Sequence, residues 1–130
     1  MVAHIVPTYA ALLGLVFVAL SVRALTLRRT LRVIVGDGGN PQMLRAMRVH
    51  ANFAEYVPIS LLLLYLLELQ GAGAAFLHAS CLALLAGRLV HAWGVSHVKE
   101  DVRFRVVGMT LTIVVIVATS VQLLLAELRA

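Results

Sequence analysis

The stretch from Met43 to Leu67, MLRAMRVHANFAEYVPISLLLLYLL, decides how this chain folds. Its second half, Tyr56 to Leu67, is uncharged but too short to cross a bilayer core of about 30 Å, which takes about 20 helical residues. Its first half carries Arg45, Arg48, His50, Asn52 and Glu55. Including that polar half restores the length needed to span. Arg45, Arg48, Asn52 and Glu55 stand at i, i+3, i+7 and i+10, one face of a helix. The segment therefore reads as a span with a charged face. Immediately before it, Gly36-Asp37-Gly38-Gly39-Asn40-Pro41 is the strongest turn signal in the chain. It lacks the preceding strand and the following Lys-Ser or Lys-Thr of a phosphate-binding loop. Asn40 fits a helix N-cap and Pro41 the first helical position. A helix from there is about 43 Å long at 1.5 Å per residue, so its basic end projects beyond the hydrocarbon.

Working outward, three further apolar runs appear. Ile5 to Val22 is uncharged and ends at Arg23. It has no basic residues before it and no evident cleavage site, so it reads as a retained span rather than a signal peptide. Ala74 to Gly94 follows the Gly71-Ala72-Gly73 turn, and Val106 to Ala126 is interrupted only by small or uncharged polar side chains. Lipid offers the backbone no hydrogen-bond partners, so spans are helices or closed barrels, and runs without alternating polarity select helices. The expected architecture is an all-α integral membrane protein: a single domain, 1–130, forming a four-transmembrane-helix antiparallel bundle. The expected spans are residues 5–25, 43–69, 74–94 and 105–127, with a long first loop from Thr26 to Asn40 and two short connections.

Composition agrees. Of 130 residues, 62% are hydrophobic and 13% charged. A soluble globular chain is about 45–50% apolar and about 25% charged. The bias excludes disorder, and the lone Cys81 excludes a disulfide scaffold. The net charge of +5 lacks the polar surface that a nucleic-acid binder would need. It is local instead: Arg23, Arg28, Arg29, Arg32, Arg45 and Arg48 surround the first loop, and Lys99, Arg103 and Arg105 the third. The positive-inside rule places those loops in the cytoplasm and both termini outside.

Charges facing lipid would cost several kcal/mol, so the polar face of the second helix should meet other helices or a hydrated cavity. Measured from the outer turn, Glu55 and Arg88 each lie about 21 Å deep, and Asn52 and His91 share a level about 4–5 Å farther in. A Glu55–Arg88 ion pair is therefore expected. That pairing leaves Arg45 and Arg48 without nearby acids, and the surplus of positive charge points to an anionic ligand. Pro58 is expected to kink the helix beside Glu55. His78 and Cys81 are too few to bind a metal, so no metal site is expected. Thr112 and Thr119 suit helix packing, Trp93 and Tyr9 interfacial anchoring, and His97 with Lys99-Glu100-Asp101 a solvated loop.

The segment Arg45-Ala-Met-Arg48-Val-His50-Ala-Asn52-Phe-Ala-Glu55-Tyr56-Val-Pro58 resembles the signature of the MAPEG superfamily, the membrane-associated proteins of eicosanoid and glutathione metabolism. Arg28-Arg29-Thr-Leu-Arg32-Val33 resembles the basic stretch closing that family's first helix, and Gly87-Arg88-Leu-Val-His91-Ala-Trp-Gly94 its third-helix motif. The resemblance covers essentially the whole chain. It implies a homotrimer with glutathione, as cosubstrate, bound between subunits and open to the cytoplasm. By that resemblance Arg28, Arg48 and Arg88 would meet the carboxylates of glutathione, Glu55 its ammonium and Asn52 its peptide. Tyr56 would cap the site, with His50 flanking. Members of the family use an arginine at the start of helix four to stabilise the glutathione thiolate, which corresponds here to Arg105 or Arg103. His91 stands where a tyrosine is often found. The implied function is that of a glutathione transferase or peroxidase acting on lipophilic electrophiles or lipid hydroperoxides that arrive from membrane lipid. The alternative is a non-catalytic trimer that binds glutathione, a lipid headgroup or a partner protein at the same arginines. A small exporter is disfavoured, because the first span has no acid.

Overall fold

Asn40 and Pro41 open the second helix as their chemistry requires. In the computed structural model, which describes residues 4–129, the Asn40 side chain accepts hydrogen bonds from the Gln42 and Met43 amides at 2.9 and 3.1 Å. The preceding turn places Gly36, Gly38 and Gly39 at positive φ, and the Asp37 carboxylate accepts from the Gly39 amide at 2.9 Å. Four helices form: α1 (Ile5–Leu31), α2 (Pro41–Leu69), α3 (Ala74–Ser96) and α4 (Val102–Glu127). Each is long and apolar enough to cross a membrane.

Two helices, α1 and α4, outrun the spans expected from hydropathy by three residues or more. α1 continues through Arg28 and Arg29 to Leu31, shortening the first loop. Arginine is a good helix former, and cations are favourable beside the C-terminal carbonyls, so charge marks where lipid ends rather than where the helix ends. Arg32 closes α1 at φ 55°, and the Val33 amide donates back to the Arg28 carbonyl at 3.0 Å. α4 begins at Val102 because Asp101 caps it, accepting from the Arg103 amide at 3.0 Å.

α2 and α3 form the central pair. α1 packs on both, α4 packs on both, and α1 and α4 do not meet among the described residues. Val6, Leu13, Phe53, Val57, Leu64, Leu77, Cys81, Leu84 and Val115 make the apolar core. Large apolar side chains such as Leu15, Leu25, Leu62, Leu82, Val114 and Leu124 face outward, as lipid contact demands and water would not permit.

α3 and α4 touch through their backbones. A Cβ on Gly108 would lie 2.6 Å from the Gly87 carbonyl oxygen and 2.8 Å from the His91 amide nitrogen. Small residues allow such approach in membranes, where packing replaces the hydrophobic drive between helices. Thr112 and Thr119 lie buried on the same face of α4 and return their hydroxyls to the carbonyls four residues earlier.

At the opposite end, Glu68 fastens α1. The residue is 8% exposed, and its carboxylate accepts from the backbone amides of His4, Ile5 and Val6 at 2.9, 2.7 and 2.9 Å. These are orphan donors of a helix N-terminus, where an anion is favoured by the helix dipole. Gln70 also donates to Glu127 at this end. The start of α1, the α2–α3 turn and the end of α4 therefore share one end of the bundle, and the arginine-rich loops share the other.

Gly108→Ala should lower the thermal midpoint of the detergent-solubilised protein, by the about 1–3 kcal/mol typical of overpacking, despite alanine's better helix propensity. Gly14→Ala, with nothing within 4 Å, should not lower it. Glu68→Gln should cost about 1.5–3 kcal/mol, as expected for loss of hydrogen bonds to a charged group, and speed hydrogen exchange at the Ile5 and Val6 amides.

Candidate functional site

Toward the arginine-rich end, α2, α3 and α4 enclose a cavity of about 360 Å³ lined by Leu44, Arg45, Arg48, Asn52, His91, Val95, Arg105 and Met109. The α2 residues among them, Leu44, Arg45, Arg48 and Asn52, follow a helical repeat, so one stripe of α2 forms a wall. Gly94 and Gly108 let α3 and α4 close the other side: a Cβ on Gly94 would sit 2.5 Å from the Phe104 Cβ.

Behind the cavity lies Arg88, 1% exposed. Its Nη2 donates to the Asn52 Oδ1 at 2.9 Å, while its Nε and Nη1 have no hydrogen-bond partner among the described residues. The expected Glu55–Arg88 pair is not formed, because Glu55 is exposed. Axial depth alone suggested the pairing, but rotation decides it. At about 100° per residue, Glu55 lies about 160° around α2 from the core residue Phe53, whereas Asn52 lies at the margin of the buried face.

Arg45 does find an acid, contrary to the sequence expectation. Glu100, in the α3–α4 connection, has a side chain only 4% exposed. Its Oε2 meets the Arg45 Nη1 and accepts from the Arg105 Nη2 at 2.7 Å. The connection is thus not simply a solvated loop: one of its acids is drawn inward between two arginines from different helices.

The sequence-derived site residues divide in two. Arg48, Asn52, His91 and Arg105 line the cavity, and Arg88 reaches it through Asn52. Arg103 is exposed at the start of α4 and does not line it. His50 turns toward α1, where its Nε2 lies 2.9 Å from the Ser21 hydroxyl and its ring stacks on Phe17 at 4.8 Å. Arg28 donates to the Gly36 carbonyl at 2.8 Å, beside the first loop. Glu55 and Tyr56 stand outside the cavity, Glu55 exposed and Tyr56 half-buried. The roles of Glu100, Glu68 and Gly108 were missed. An acid in the last turn of an antiparallel span, facing the first turn of its neighbour, was the available signal for Glu68. Gly87 and Gly94, seven residues apart on one helical face, were the signal for the close α3–α4 contact.

A sequence model of the MAPEG family matches residues 6–125. The chain belongs to the MAPEG family. Two curated relatives, both named inner membrane protein YecN, come from Escherichia coli strain K12 and Escherichia coli O6:H1 strain CFT073. Each is 38% identical over 104 residues, covering 80% of this chain and 78% of its own length. With four membrane-length helices, this MAPEG protein is an integral, multi-pass membrane protein.

Asn52→Ala should destabilise this MAPEG protein by about 1.5–3 kcal/mol, because it removes a hydrogen bond to a buried charge. Adding Arg88→Met should recover much of that loss in thermal unfolding, since the uncompensated charge then disappears as well.

Proposed function

We propose that the protein binds glutathione in the arginine-lined cavity and activates its thiol for attack on lipophilic electrophiles or lipid hydroperoxides. The observation that carries this reading is the convergence of Arg45, Arg48 and Arg105 with Asn52 and His91 around one cavity. Glutathione bears two carboxylates and one ammonium. Arg48 and the unpaired donors of Arg88 suit the carboxylates, and charge-assisted guanidinium bonds are the stronger kind. Asn52 suits the peptide. Arg105 favours thiolate over thiol by its positive charge, with His91 beside it. The gain is a raised concentration of aligned nucleophile next to a substrate delivered by lipid.

A homotrimer completes the proposal. Glu55 is an exposed carboxylate near the middle of α2, a costly placement against hydrocarbon. A second copy covering that face would bring Glu55, Tyr56 and Arg28 to the edge of the ligand, with Glu55 receiving the ammonium. The basic loops would face the cytoplasm and the termini the opposite side, so the cavity opens to the cytoplasm.

A second reading, binding without catalysis, is favoured by one contact: Arg105 is already engaged by Glu100 at 2.7 Å, which reduces its field on a thiol. Calorimetric titration of the purified protein with glutathione tests the site. Arg48→Ala and Glu55→Ala should each weaken binding about tenfold or more, about 1.4 kcal/mol. Unchanged affinity in both would remove the site. Thiolate absorbance that is present in the wild type and lost in Arg105→Ala supports catalysis; binding with no thiolate signal gives the second reading.

A further inference from the structure

The carboxylate of Glu100 already does at the cavity what an anionic ligand would do there. It sits between Arg45 of α2 and Arg105 of α4, both of which line the cavity, and it engages both through a single oxygen, Oε2. Oε1 has no hydrogen-bond partner among the described residues, although the side chain is 4% exposed. The residue belongs to the short connection between Ser96 and Val102 rather than to a helix, so its backbone can shift without disturbing a span. Arg48, the third arginine of the cavity, forms no ion pair among the described residues.

We propose that Glu100 is a built-in competitor and sets the specificity of the cavity: its carboxylate occupies the Arg45–Arg105 anion position, and an entering anionic group, a carboxylate or the thiolate of glutathione, must displace it. This rests on the reading that an anion enters the cavity, though not on that anion being glutathione. Exchanging one carboxylate for another at Arg45 and Arg105 gains little by itself. A ligand must bring a further anionic group, which Arg48 is free to take. The device therefore favours ligands with two carboxylates at suitable separation over the abundant small monoanions. It also links occupancy to Arg105, whose guanidinium exchanges an internal partner for an external one when the ligand arrives.

The test uses the full chain in lipid nanodiscs, with glutathione and glutarate as separate probes. Glutarate carries two carboxylates and no thiol. Glu100→Gln keeps the side-chain size and removes the competing charge, and should bind both probes about tenfold more tightly than the wild type. Glu100→Asp keeps the charge and should stay close to wild-type affinity, which separates charge from loop disturbance. In the wild type, saturating ligand should speed amide hydrogen exchange in residues 97–101, as Glu100 is released. Equal or weaker glutarate binding by Glu100→Gln would overturn the proposal, whatever glutathione does, because a merely structural ion pair predicts no gain. If glutarate binds the variant more tightly but glutathione binds neither protein, the competitor stands and the glutathione reading falls.

Discussion

A guanidinium enclosed at the centre of an apolar bundle needs a partner, and for Arg88 that partner is the Asn52 carbonyl group at 2.9 Å. The need sets the rotation of α2. With Asn52 turned toward α3, Phe53, Val49 and Val57 fall into the interior, and Glu55 is carried to the outer side. The same contact fixes α3 against α2 at the level where α4 must also fit, and α4 fits because Gly87 and Gly108 have no side chains. Polar demand and steric permission thus act at consecutive residues of α3, Arg88 and Gly87. Between them they define the wall of the cavity.

The arginines of this protein serve two physical purposes that rarely coincide. At the end of α1 they stabilise the helix, where Arg28 and Arg29 lie in the last helical turn. Arg45, Arg48 and Arg105 instead surround a cavity, and their mutual repulsion is relieved at one point by Glu100.

Much of the architecture was legible because bilayer physics leaves few choices. Helix number, the start of α2 at Asn40-Pro41 and the start of α3 at Ala74 followed from hydropathy and turn chemistry. The C-terminal end of α1 and the start of α4 did not, since hydropathy reports lipid contact and not helical hydrogen bonding. The site was legible as residue types and as axial level, which brought Asn52 and His91 into one cavity. Azimuth was the weak coordinate. The rotation of α2 depends on Arg88 and on the α3–α4 glycine contact, which are long-range facts. So Glu55 was matched with Arg88 although it faces away. Glu100 was hidden for a related reason: a loop acid beside Lys99 looks solvated until two helices are known to bring arginines over it.

The carboxylate at the end of α2 bears on how the chain is assembled during synthesis. α1 emerges first, and its leading amides at His4, Ile5 and Val6 are answered by a residue some sixty positions later in the chain. Until α2 has crossed and delivered Glu68 to that surface, the start of α1 can only be hydrated. The start of α1 is therefore satisfied only when α2 lies beside it, and the two helices form one hydrogen-bonded hairpin on which α3 and α4 pack.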